Sequence, residues 1–93
     1  MITAIVRINC EMGKVPEVAE QLVNLSGVAE VYSVAGDFDI LAIVRVREYE
    51  AIGNLVAEKI AGMPHVTKTL THMAFRCYSR HDMERMWAEF IDD

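Results

Sequence analysis

Ser33-Val34-Ala35-Gly36-Asp37-Phe38-Asp39-Ile40-Leu41 sets a Gly-Asp pair between two runs suited to β-structure, and reading it as a hairpin decides the fold. Val28 to Ala35 and Phe38 to Val46 are rich in Val, Ile, Tyr and Phe, and a Gly-Asp junction supplies the positive φ angles of a tight two-residue turn. The loop also carries two carboxylates, Asp37 and Asp39, beside a bare glycine. Hairpin chemistry accounts for Gly36-Asp37. It does not account for Asp39, because an acid opening an apolar strand is unfavourable unless it is solvated, paired or used.

Working outward, Ile2 to Cys10 alternates, with Ile2, Ala4, Val6, Ile8 and Cys10 on one side and Thr3, Ile5, Arg7 and Asn9 on the other. A period of two is a strand. Pro16 fits the first turn of a helix, where its missing N–H is not needed. Val15, Val18, Ala19, Leu22 and Val23 continue that helix to a stop near Ser26-Gly27. After the hairpin, from Glu48, Ile52, Leu55, Val56 and Ile60 recur at helical spacing until Gly62 and Pro64 close the segment. Gly53 inside this second helix suggests close packing against a neighbour. A fourth strand runs over 66–76, with Val66, Lys68, Leu70, His72 and Ala74 on one face and Thr67, Thr69, Thr71, Met73 and Phe75 on the other. Ser79 with Asp82 reads as a helix start, and Met83, Met86, Trp87, Phe90 and Ile91 make an apolar stripe, so 79–93 is expected to be a helical extension.

The order β-α-β-β-α-β with right-handed crossovers predicts an α+β, ferredoxin-like sandwich of the dimeric α+β barrel type, 1–93 forming one domain with an extra C-terminal helix. Both main helices then cover one face of an antiparallel sheet of order 4-1-3-2. If Ala4, Val6 and Ile8 face the helices, Ile5, Leu41, Ile43, Met73 and Phe75 are expected on the uncovered face. An apolar face of that kind is normally covered, and a second copy is the simplest cover. The topology also sets Cys10 and Cys77 at opposite ends of the sheet, about 25 Å apart at 3.4 Å per residue. A disulfide needs Cα atoms within roughly 7 Å, so both cysteines are expected to be reduced.

Composition excludes several classes. Nine Lys and Arg stand against 14 acids, for a net charge of -5, so there is no excess of positive charge to hold nucleic acid phosphates. The amino terminus has a charge at Arg7 and no cleavage site, and no apolar run approaches the roughly 20 residues of a bilayer span. A cytoplasmic protein without membrane contact is expected. Hydrophobic residues make up 53% of so short a chain, which points to burial by association.

Leu25-Ser26-Gly27-Val28, the tract Val34 to Leu41, and Ile60-Ala61-Gly62-Met63-Pro64-His65-Val66 followed by Thr69 and Thr71 together resemble the ligand-binding (RAM) domain of the Lrp/AsnC transcription regulators. The likeness covers Met1 to about Tyr78, and Gly-Asp-aromatic-Asp before an apolar strand is its most specific part. It implies dimers formed through the sheets, further assembly into tetramers, octamers or rings, and small effectors, usually amino acids, bound between dimers near the hairpin loop. On that basis Val34, Gly36, Asp37, Asp39, Thr69 and Thr71 are the expected ligand contacts. Amides near Gly36 would hold an α-carboxylate, and Asp37 or Asp39 would pair with an α-ammonium. Family regulators carry an amino-terminal helix-turn-helix, whereas Met1 here opens the first strand. A stand-alone form is therefore expected, without DNA binding of its own, acting in transcription through a full-length family partner.

Plainer readings stand beside these. For Thr67, Thr69 and Thr71 the better reading is that of β-formers on a half-buried face, and Thr71, which matches a threonine of the family's last strand, is the best of them for a ligand hydroxyl contact. His65, His72 and His81 lack metal spacing, and Asp37 with Asp39 make too few oxygen ligands for a cation, so neither metal nor cofactor is expected. No nucleophile motif points to an enzyme. The alternatives are a small monooxygenase-like barrel enzyme using His72 and Trp87 in a cavity between sheet and helices, or a pure assembly domain.

Overall fold

A computed structural model describes residues 1–80. Its elements are β1 (Ile2–Cys10), α1 (Val15–Val23), β2 (Val28–Ser33), β3 (Ile40–Val46), α2 (Tyr49–Gly53), a π-helical stretch Asn54–Ile60 that continues α2, and β4 (Val66–Ala74). The strands form one antiparallel sheet in the order β2-β3-β1-β4, the expected α+β, ferredoxin-like arrangement. The helix expected over 79–93 falls, from His81 onward, outside the described residues.

Alternation on β1 and β3 builds the core. Ala4, Val6 and Ile8 pair across to Val44, Ala42 and Ile40, and all six are fully buried beneath Val18 and Leu22 of α1 and Ile52, Leu55 and Ile60 of the second helix. Each large aliphatic side chain so buried contributes about 1.5–3 kcal/mol. Pro16 sits in the first turn of α1, as expected. The helix ends at Val23, earlier than the Ser26-Gly27 stop suggested by the glycine; Gly27 instead turns the chain into β2 at φ +98.

Three expectations are corrected. First, the connection between β2 and β3 is a loop over 34–39, wider than a two-residue turn, and Asp39 is tied at its base to both neighbouring strands. Its N–H donates to the Ile8 carbonyl at 3.1 Å, and Val34 N–H closes the loop on the Asp39 carbonyl at 3.0 Å. Second, Met73 does not lie on the open face. It pairs with Ala4, as Thr71 does with Val6 and Thr69 with Ile8, so all three occupy the helix-covered side and Met73 packs against the core. Phe75 lies past the end of β4, 98% exposed. A bulge explains part of this shift. Asn9 pairs with Lys68 but Cys10 with Val66, so Thr67 is skipped and Val66 joins the core face rather than the Lys68 face. Third, a Cβ on Gly53 would meet nothing within 4 Å, so no close neighbour selects that glycine. Gly62 is the constrained one, since a Cβ there would lie 2.8 Å from the Glu58 carbonyl oxygen.

The open face consists of Thr3, Ile5, Arg7 and Asn9 on β1, Leu41, Ile43 and Arg45 on β3, Glu30 and Tyr32 on β2, and Lys68, Leu70, His72 and Ala74 on β4. Tyr32 and Leu70 are 46% and 47% exposed. The Tyr32 hydroxyl donates to Glu30 at 2.6 Å, and Arg45 reaches Glu30 at 3.7 Å. An apolar centre of Ile5, Leu41 and Ile43 thus carries a polar border on its β2 side. Cys10 and Cys77 are both free thiols, and Cys10 sits at the Val66 end of the β1–β4 ladder while Cys77 lies beyond the Thr3–Ala74 end. Among the described residues no helix is long and apolar enough to cross a membrane.

Candidate ligand site on the open face

Antiparallel register places Arg7 between Leu41 and Leu70, and the next outward-facing residue of β1, Asn9, opposite Lys68. Arg7, Asn9, Leu70 and Lys68 therefore form one block at the loop end of the open face. Loop 34–39 folds over this block. Phe38 lies under the Arg7 guanidinium, whose Cζ is 4.1 Å from the ring centroid, a cation–π contact worth about 0.5–2 kcal/mol. Together with Asp37 these residues enclose a cavity of about 260 Å³, slightly below the range of drug-sized pockets and suited to a smaller molecule.

Two polar atoms here are shielded from solvent and have no hydrogen-bond partner among the described residues: the Arg7 Nε donor and the Asn9 Oδ1 acceptor. Each such group costs about 1–3 kcal/mol unless something outside the chain pairs with it. Across the cavity Asp37 offers a carboxylate, and Arg7 and Lys68 offer cations from two strands. That set pairs with a molecule carrying both charges, its anionic group on Arg7 and Lys68 and its cationic group on Asp37, with Phe38 and Leu70 left for an apolar substituent.

Of the residues expected from the sequence, only Asp37 lines this cavity. Val34 spends its N–H on closing the loop. Gly36 is exposed at φ +124 with open space where a Cβ would go, so it is selected by backbone conformation alone. Asp39 has a structural use: its Oδ2 accepts the Cys10 N–H at 3.0 Å and lies 3.9 Å from the Cys10 thiol. Burial, then the Asp39 charge and its hydrogen bond, push the Cys10 thiol above its ordinary pKa. Thr69 and Thr71 face the helix side, away from the cavity. His72 pairs with Ile5 on the open face, so it cannot line a cavity between sheet and helices, and the enzyme reading that needed it there loses its first residue; Trp87 lies outside the described residues. His65 Nδ1 lies 2.9 Å from Glu11 Oε2, a half-exposed contact outside the cavity lining. Sequence reasoning missed Arg7, Asn9, Phe38, Lys68 and Leu70. The available signal was a cation and an amide on the side of β1 meant for burial by association.

Comparison with known proteins adds the family. The sequence pattern described as Lrp/AsnC ligand binding domain matches residues 3–84. An uncharacterised HTH-type transcriptional regulator of Pyrococcus furiosus is 44% identical over 59 residues, which are 63% of this chain and 39% of that protein. The chain thus spans well under half of that relative. Among solved structures, TTHA0845 from Thermus thermophilus is similar at 40% identity and a TM-score of 0.80, over 86% of this chain and all of the other. The feast or famine regulatory protein Rv3291c of M. tuberculosis, solved with L-methionine, is 25% identical with a TM-score of 0.69 over 86% of this chain and 54% of its own. Matched over most of its length by that pattern and across the whole of the Thermus fold, the chain belongs to the Lrp/AsnC ligand-binding domain family.

Proposed function

We propose that this chain is an effector-binding regulatory module that takes a small zwitterion, an amino acid, into the Arg7–Asp37 cavity. The observation that carries the reading is the cavity itself, where unpartnered Arg7 Nε and Asn9 Oδ1 adjoin Lys68 and the Asp37 carboxylate. The M. tuberculosis relative solved with L-methionine supports the ligand class. A second copy covers the Ile5–Leu41–Ile43 face to form a homodimer, which assembles further into a tetramer, octamer or ring. The module performs no catalysis and works in the cytoplasm, and its effect on transcription runs through co-assembly with a DNA-binding regulator of the same family.

Calorimetric titration of the full chain with each of the twenty amino acids tests this. At least one should bind saturably, and Asp37→Asn and Arg7→Gln should each weaken it about tenfold or more, the scale of one charge-assisted contact. No binding by any amino acid, or equal affinity in both variants, overturns the reading. A second reading keeps Arg7 and Asn9 for the partner copy, making the chain an assembly domain without an effector. It is favoured if Arg7→Gln weakens the dimer while no amino acid binds.

A further inference from the structure

A second cavity, of about 430 Å³, opens at the other end of the sheet, where β2 begins and β3 hands over to α2. Arg7 pairs with Leu41 and Ile2 with Val46, so about 17 Å of β1 separates it from the Asp37 cavity. Among its lining residues are Gly27, Arg45, Arg47, Asn54, Leu55 and Lys59, and none of its lining residues is acidic. Arg45 is engaged with Glu30. Arg47 and Lys59 make no ion pair among the described residues, and both are exposed. In a chain of net charge -5, two cations thus face one concave surface, with the neighbouring acids Glu48 and Glu58 outside its lining.

The backbone assembles this concavity in an unusual way. Asn54, Leu55 and Lys59 all belong to the π-helical stretch Asn54–Ile60, and the Ala61 N–H donates to the Val56 carbonyl five residues back, at 2.9 Å. In an α-helix of 3.6 residues per turn, positions i and i+5 point about 140° apart. The wider π winding, whose hydrogen bonds run from i to i+5, narrows that angle and brings them to the same side. Leu55 and Ile60 thereby both sink into the core, 4% and 0% exposed. Asn54 and Lys59, one step back along the same winding, align on the cavity side. π-helical turns are rare, and they occur disproportionately at functional sites. At Gly27 a Cβ would come within 3.1 Å of Leu55 and 3.2 Å of Val46, so the glycine lets these two side chains pack closely into the wall.

We propose that this cavity is a second ligand site, for a small oxyanion. Arg47 and Lys59 take its charge from two sides, Asn54 orients it, and Leu55 with Val46 offers an apolar wall to the remainder of the molecule. Phosphate and carboxylate share the required chemistry. The site uses none of the residues assigned to the zwitterion, so either assignment can fail without the other.

The test is a ¹H–¹⁵N correlation titration of the full chain with inorganic phosphate and, separately, with citrate, against sodium chloride at matched ionic strength. Saturable shifts should concentrate on Gly27, Arg47 and the amides from Asn54 to Ala61. Tighter binding of phosphate assigns the phosphate class, and tighter binding of citrate the carboxylate class. Lys59→Gln and Arg47→Gln change exposed side chains and should leave the spectrum dispersed while weakening binding about fivefold or more each, a value reduced for solvent screening. Asp37→Asn should leave it unchanged. Shifts spread evenly over the basic residues, shifts equalled by chloride, or affinity unaltered in both cation variants would overturn the proposal.

Discussion

The two faces of β1 differ in what selects them. Ala4, Val6 and Ile8 are fully buried, aliphatic and opposed by equally buried partners on β3. Ile5, Arg7 and Asn9, their immediate neighbours in sequence, mix an aliphatic, a cation and an amide and remain half-exposed. One face is therefore specified by packing within the chain. The other is not satisfied within the chain, since Arg7 Nε and Asn9 Oδ1 find nothing to bond among the described residues.

Substitutions at matched positions should separate the faces most sharply. Ile8→Ala removes a fully buried side chain and should lower unfolding free energy by about 2–5 kcal/mol, read by urea denaturation. Ile43→Ala, on the open face, should cost the isolated subunit far less and instead shift the dimer towards monomer, read by light scattering across a dilution series. If Ile43→Ala destabilises the subunit as much as Ile8→Ala while leaving the assembly intact, the open face is not an association surface.

That contrast also explains what could be read from the sequence. Period-two and helical patterns report burial inside the chain, and so they located the strands, their order and the Ala4–Val6–Ile8 core. Register and loop closure depend on hydrogen bonds between residues distant in sequence. The bulge at Thr67 is an example: strict alternation carried from Val66 to Met73 cannot show the skipped residue, and Val66 and Lys68 in fact serve opposite faces. The π winding after Gly53 was hidden because Ile52, Leu55, Val56 and Ile60 satisfy α-helical spacing as well. At the loop, an out-of-place acid was correctly marked at Asp39, but sequence cannot distinguish a carboxylate waiting for a ligand from one already holding the Cys10 amide. The cavity instead gathers Asp37 with side chains of β1 and β4, which only the register brings together.

Asp39 and Asp37 are a comparison of the same kind, two acids of one loop with inward and outward uses. Asp39→Ala leaves the half-buried Cys10 N–H without its carboxylate and should destabilise the fold by about 1.5–3 kcal/mol, the range for a hydrogen bond to a charged group. Asp37 is exposed and has no hydrogen bond or ion pair among the described residues, so Asp37→Ala should leave thermal unfolding almost unchanged. Equal melting temperatures for wild type and Asp39→Ala would mean that the Cys10 contact contributes nothing and that Asp39 is free for a ligand after all.

The smallest effect concerns the two thiols. Cys10 is half-buried beside Asp39, whereas Cys77 is exposed. Burial first, and the neighbouring negative charge second, disfavour the Cys10 thiolate and raise its pKa. Because the thiolate is the reacting species, iodoacetamide at mildly alkaline pH should modify Cys77 before Cys10, as followed by peptide mass analysis. Asp39→Asn keeps an oxygen acceptor for the Cys10 N–H while removing the charge, so it should accelerate Cys10 modification and leave Cys77 unaffected. The same shift has a sign in stability. The unfolded chain releases the Cys10 proton at the ordinary thiol pKa while the folded chain still holds it, so this stabilisation is complete below that pKa. It is lost as pH rises towards the raised folded value. Denaturation midpoints should accordingly fall more steeply through the thiol range in wild type than in Cys10→Ser, and identical slopes would show that the fold does not raise the Cys10 pKa.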